Sequence, residues 1–91
     1  MKVLAEKIAV KDFENEGYFA LLGKPVLLFT GNYNYAGTLV GVNEEFLKLE
    51  PAFLVFETGP FNEKGYKDAQ ALPGGVAYVM KGKVEAFTPG K

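Results

Sequence analysis

Gly23-Lys24-Pro25-Val26-Leu27-Leu28-Phe29, followed by Gly31-Asn32-Tyr33-Asn34 and then Tyr35-Ala36-Gly37-Thr38-Leu39-Val40-Gly41-Val42, is the stretch on which the fold turns. Gly23 is a helix stop, and Pro25 forbids the helix from continuing. Residues 26–29 read as a short apolar strand. Gly31 to Asn34 read as a turn, because Gly and Asn tolerate positive φ. Residues 35–42 read as a second strand. Its odd positions include Gly37 and Gly41, and two glycines on one face mark a bend or the close approach of another backbone.

The β pattern continues downstream. Asn43-Glu44-Glu45 is the next turn, and residues 46–50 resume the alternation. That alternation directs Phe46 into the core. Pro51 demands a bulge, an edge or a break, after which residues 52–56 run on extended. The polar stretch 57–70, with Gly59-Pro60 and Gly65, is expected to be a variable loop or protruding hairpin. Gly74-Gly75 opens a strand at 76–80, Lys81-Gly82 is a tight turn, and residues 83–87 form the last strand. Upstream, residues 1–11 fit neither helix nor strand period and read as a tail or short strand. Asp12 can cap a helix over 12–22, with Glu14 and Glu16 in its first turn.

The 91 residues make one domain. One short helix and five short strands cannot build a full sandwich, so the expectation is a mostly β fold. It is an N-terminal helix followed by one strongly bent, five-stranded SH3-like barrel over 25–87.

The chemistry available is narrow. Cys, His, Ser, Arg and Trp are all absent. That removes thiolates, disulfides, serine nucleophiles, the usual neutral-pH acid-base group and the commonest metal ligands. No cofactor or metal site is expected, and no enzyme. Glu44 and Glu45 are adjacent and so point apart as a pair. Ten Lys against eleven acids leave a net charge of −1, so no strongly basic field draws nucleic acid. No apolar run reaches the ~20 residues of a membrane helix, and the start Met1-Lys2-Val3-Leu4-Ala5-Glu6-Lys7 carries charge too early for the apolar stretch of a leader. The expectation is a cytoplasmic protein with no membrane partner.

The order helix, Gly23-Lys24-Pro25-Val26, then five strands resembles the Sm-like superfamily, which includes the LSm proteins and Hfq. Tyr35-x-Gly37-x-Leu39 is similar to the core of that family's first motif, with Asn43 at its Asp position and Leu49 at its terminal Leu. Lys81-Gly82 resembles the basic residue and glycine of the second motif, followed by Val84. The likeness covers residues 12–87. It implies a homo-oligomeric ring in which the bare edges of the sheet pair with neighbouring subunits, with Tyr78, Val79 and Phe87 at the seam. It also implies binding of single-stranded, uridine-rich RNA near the lumen, with Asn43, Lys81 and Gly82 taking part. The family's pocket is altered here, however. Glu45 stands at the stacking position and Leu47 at the Asn that reads the base edge.

Two other sets of residues have the chemistry for RNA. Tyr33 and Tyr35, in a loop with Asn32 and Asn34, can stack on bases and hydrogen-bond their edges. Lys64, Tyr66 and Lys67 lie beside Phe61 as a basic and aromatic spot. Two readings compete with RNA binding. One is a structural or adaptor ring of phage or mobile-element origin that binds a protein partner, supported by the acidic pair Glu44 and Glu45 and the apolar Gly59-Pro60-Phe61. The other is a monomeric SH3-like module that takes peptides in a groove of tyrosines.

Overall fold

A computed structural model describes residues 16–91; the expected tail over 1–11 and the start of the helix, 12–15, lie outside the described residues. The elements run in the order α1 (Gly17–Ala20), β1 (Pro25–Thr30), β2 (Asn34–Val42), β3 (Phe46–Glu57), β4 (Asp68–Ala71), β5 (Ala77–Met80) and β6 (Val84–Pro89). Short 3-10 turns at Pro73–Gly75 and Lys81–Lys83 precede β5 and β6.

The helix is shorter than the sequence predicts. Glu16 is extended, with φ −149° and ψ 159°, and Gly17 takes φ 69°, so among the described residues the helix begins at Gly17 and does not extend back through Glu16. The helix ends at Ala20 with Leu21 as its C-cap, two residues short of the expected end against Gly23. Gly23 instead closes the turn that follows. It takes φ 81°, and its N–H donates to the Leu39 carbonyl at 2.7 Å while the Leu39 N–H returns a bond to Lys24 O at 3.0 Å. The turn after α1 is thereby fastened to β2.

The strands form one antiparallel sheet in the order β4-β3-β2-β1-β6, with β5 also on β3. The five-stranded barrel is corrected on two counts: the strands number six, and the sheet is not closed. The physical cause is Pro73-Gly74-Gly75. Both glycines take φ near 72°, a left-handed geometry open to them without a Cβ penalty. They step the chain between two short strands laid end to end along β3. Phe53 to Glu57 pair with β4, and Phe46 to Leu49 pair with β5. The strand β4 is additional to the expected set, and Glu57 opposite Asp68 closes the hairpin around the 58–67 loop.

The bend falls where the glycine pattern placed it. Gly37 pairs with Ala52, but Leu39 pairs with Leu49, so β3 carries an extra residue around Pro51. A Cβ on Gly37 would lie 2.1 Å from the Pro51 carbonyl oxygen; only glycine permits that approach. Gly41 differs, since a Cβ there would meet the Lys48 side chain at an ordinary 3.6 Å.

Alternation sends side chains to two cores. The larger gathers Val26, Leu28, Leu39, Leu47, Leu49, Ala52 and Val79 and is flanked by Tyr18, Leu21 and Phe87. The smaller, on the other side of β1, is Leu27, Ala36 and Val55, with Phe29, Phe53 and Tyr66 against it. Each fully buried leucine contributes about 1.5–3 kcal/mol. Leu47, with no exposed surface, is the core residue at the start of β3; Phe46 faces the other way, contrary to the expectation from the alternation.

Candidate nucleic-acid interface

Three strands carry one register row. Gly41 of β2 lies opposite Lys48 of β3, and Lys48 lies opposite Tyr78 of β5. Directly paired residues project to the same face, and this face is opposite to buried Leu47, Leu49 and Val79. In the next row Phe46 faces Met80. The result is an aromatic and basic surface centred on Tyr78, which is 63% exposed. The Phe46 ring meets the Tyr78 ring edge-on at 6.4 Å between centroids. The Lys48 ammonium lies 5.7 Å from the Tyr78 centroid, a cation–π contact.

Tyr78 forms the ridge between two clefts. One, of about 470 Å³, is bounded by the turn between β1 and β2 and by β5; Tyr33, Tyr35, Met80 and Lys83 line it with Tyr78. The other, of about 240 Å³, is bounded by Asn43, Phe46 and Lys48, and Gly41 forms part of its lining. Tyr33 is 52% exposed, and its ring stands at 64° to that of Tyr35 at 6.4 Å. The turn holding Tyr33 is rigidly made. The Thr30 hydroxyl donates to the Tyr33 carbonyl and accepts from the Tyr33 N–H, and the Thr30 N–H donates to the same carbonyl.

The structure divides the expected RNA residues. Tyr33 and Tyr35 line the larger cleft. Asn43 lies at the rim of the smaller, but its Oδ1 accepts from the N–H groups of Glu45 and Phe46 at 2.8 and 2.6 Å. That oxygen shapes the turn and is committed to the backbone. Lys81 belongs to a different contact: its ammonium lies 5.4 Å from the Tyr18 centroid, and Tyr18 stacks on Phe87 at 4.1 Å. The Lys81 N–H donates to Glu45 O at 2.8 Å, so the two turns carrying the motif residues do meet. Gly82 is exposed, and a Cβ there would touch nothing within 4 Å.

The expected seam residues also separate. Val79 is buried in the larger core, so its side chain is not available to a neighbouring subunit; it pairs with Leu47 and inherits the inward face. Phe87 is half-buried against Tyr18. Tyr78 alone of the three is exposed, and it joins the tyrosines of the β1–β2 turn. Phe46, Lys48 and Lys83 belong to the same surface; Phe46 had the core as its expected place with base stacking as the alternative, and Lys48 and Lys83 were not singled out as site residues from the sequence. The β3–β5 register was the missing information, because it alone places Lys48 beside Tyr78.

The basic spot near Phe61 has another use. Tyr66 and Phe61 both face the ammonium of Lys91, and Lys67 lies 3.8 Å from Glu57 in an exposed ion pair, an arrangement of little energetic weight.

Among the described residues, no group of His, Cys, Asp or Glu is placed to hold a metal ion. No helix among them is long and apolar enough to cross a membrane. Comparison of the chain with protein-family models, curated proteins and solved structures finds no match.

Proposed function

We propose that this protein binds single-stranded RNA on the Tyr78 surface and does so as a subunit of a self-assembled, Sm-like ring. One observation carries the RNA reading: an exposed tyrosine ridge with Tyr33, Tyr35 and Lys83 on one side and Phe46, Lys48 and Asn43 on the other. Flat aromatic faces accept any base, and each stacked base contributes about 1–3 kcal/mol. Lys48 and Lys83 supply cations for the phosphates that link successive bases. No arginine is present, which favours stacking with weak sequence preference over bidentate reading of guanine. The altered motif positions Glu45 and Leu47 displace recognition from the family's pocket to this neighbouring face.

Ring assembly is supported by the strand order. Among the described residues, β5 pairs only with β3, and β6 only with β1. The strand β4 likewise has β3 alone as its partner. Joining β5 of one copy to β6 of the next would satisfy two of these three open edges and add copies around a closed cycle.

The test is fluorescence anisotropy with a labelled uridine-rich oligonucleotide at low salt. Saturable binding is expected, with Tyr78→Ala weakening it about 5- to 150-fold, the equivalent of one stacked base. Absence of binding to U-rich, A-rich and mixed oligonucleotides at micromolar protein would remove the RNA reading. A ring that binds a protein partner is the second reading, favoured by the exposure of Phe56 and Phe61 on the β3–β4 hairpin. An intact assembly that purifies free of nucleic acid, with the absorbance ratio of pure protein, would favour it.

A further inference from the structure

The loop between β3 and β4 holds a cation. The Lys91 ammonium donates to three backbone carbonyls: Thr58 at 2.6 Å, Pro60 at 2.8 Å and Gly65 at 2.8 Å. A lysine ammonium has three N–H donors, so these bonds use its full complement. The Tyr66 ring centroid lies 5.0 Å from the same nitrogen and the Phe61 centroid 5.8 Å. Carbonyls on one side and aromatic faces on the other both favour positive charge.

The loop has its own internal bonds. Glu63 N–H donates to Pro60 O at 3.1 Å, Lys67 N–H to Thr58 O at 3.3 Å and the Thr58 hydroxyl to Gly59 O at 3.0 Å. Gly59 takes φ 69°, the left-handed turn that only glycine adopts freely. Lys91 is delivered by a separate anchor. Gly90 N–H donates to Pro25 O at 2.8 Å, and Gly90 lies so tightly on β1 that a Cβ would come within 2.9 Å of the Val26 backbone. Lys91 is thus held from two sides, by Gly90 on β1 and by its own N–H, which donates to the Tyr66 hydroxyl of the loop at 3.3 Å.

Lys91 also lines two clefts: one of about 450 Å³ with Phe53, Tyr66 and Lys67, and one of about 390 Å³ with Phe29, Phe61 and Pro89. It stands between them, beside space that an incoming chain could use.

We propose that the 58–66 loop is a receptor for a primary alkylammonium group, filled internally by Lys91 and open to an outside amine when Lys91 gives way. Three converging carbonyls reward N–H donors, so a quaternary ammonium of similar charge, which has none, should bind more weakly despite the aromatic faces.

The test is a proton–nitrogen correlation titration of the full chain carrying Lys91→Ala. n-Butylammonium and Nα-acetyl-lysine amide are the two probes, one a free amine and the other a lysine side chain. Saturable shifts of the Gly59, Gly65 and Tyr66 amides are expected in the variant, and shifts at least tenfold smaller in the unaltered protein. Binding of the lysine amide as well as the free amine assigns the site to lysine side chains; binding of butylammonium alone keeps the receptor and assigns it to free amines. No saturable shift in the variant, or equal shifts with tetramethylammonium or potassium chloride, overturns the proposal. The unaltered protein supplies a measurement independent of the variant. The Lys91 ammonium protons should exchange with water at least tenfold more slowly than those of exposed Lys83. Equal exchange also overturns the proposal.

Discussion

At the scale of single residues, two glycines four apart do different work. Gly37 admits the Pro51 carbonyl to within 2.1 Å of where a Cβ would stand. Backbone cannot yield as a flexible side chain can, so Gly37→Ala should cost about 3 kcal/mol or more, read as a fall in the urea midpoint. Gly41→Ala has room and should stay within about 1 kcal/mol of the parent protein. The same room matters for binding, because Gly41 lies in the Lys48–Tyr78 row and lines the smaller cleft. Gly41→Val should leave the urea midpoint nearly unchanged while weakening RNA binding by filling that cleft. If both midpoint and affinity fall together for Gly41→Val, the division between the two glycines is wrong.

At the scale of elements, β3 organises the molecule, since its first part takes β5 and its second takes β4. The ends of β1, β2 and β5 lie close to where hydrophobic runs and Gly/Asn turns placed them, because those strands carry their own apolar residues. The strand β4 gave no such signal. Asp68-Ala69-Gln70-Ala71 has no β-branched or aromatic side chain and is exposed throughout; it is a strand because the edge of β3 offers it backbone partners. Phe46 and Leu47 were exchanged for a related reason. Two adjacent apolar residues leave the phase of a period-two pattern undecided, and pairing with Val79 decides it. The tyrosines of the candidate surface were legible as residue types, but their convergence on Tyr78 depends on strand pairing across the chain. Two predictions follow at this scale. Leu49→Ala, in the middle of the larger core, should lose about 2–5 kcal/mol by denaturant unfolding. Lys83→Ala should leave stability unchanged and reduce the slope of log K against log salt by about 0.7, the share of one phosphate contact on a single strand.

At the scale of the whole molecule, the open sheet edges dominate. In the proposed ring, association of native copies would stabilise them by mass action, so the melting temperature should rise with protein concentration, and native mass spectrometry should show one discrete assembly. A monomer at micromolar concentration, with a melting temperature independent of concentration, would leave the binding surface but dismiss the ring. The pairing of β6 with β1 has a different consequence, which belongs to biosynthesis. Leu28 lies opposite Phe87, and Val26 opposite Pro89, so the outer side of β1 is finished by residues that the ribosome adds about sixty positions later. The hairpins β1–β2 and β2–β3 can close while that flank is still bare. A nascent chain stalled before Val84 would therefore present an adhesive strand to its polysome neighbours, and stalled chains, more than released ones, should be those that holding chaperones retain.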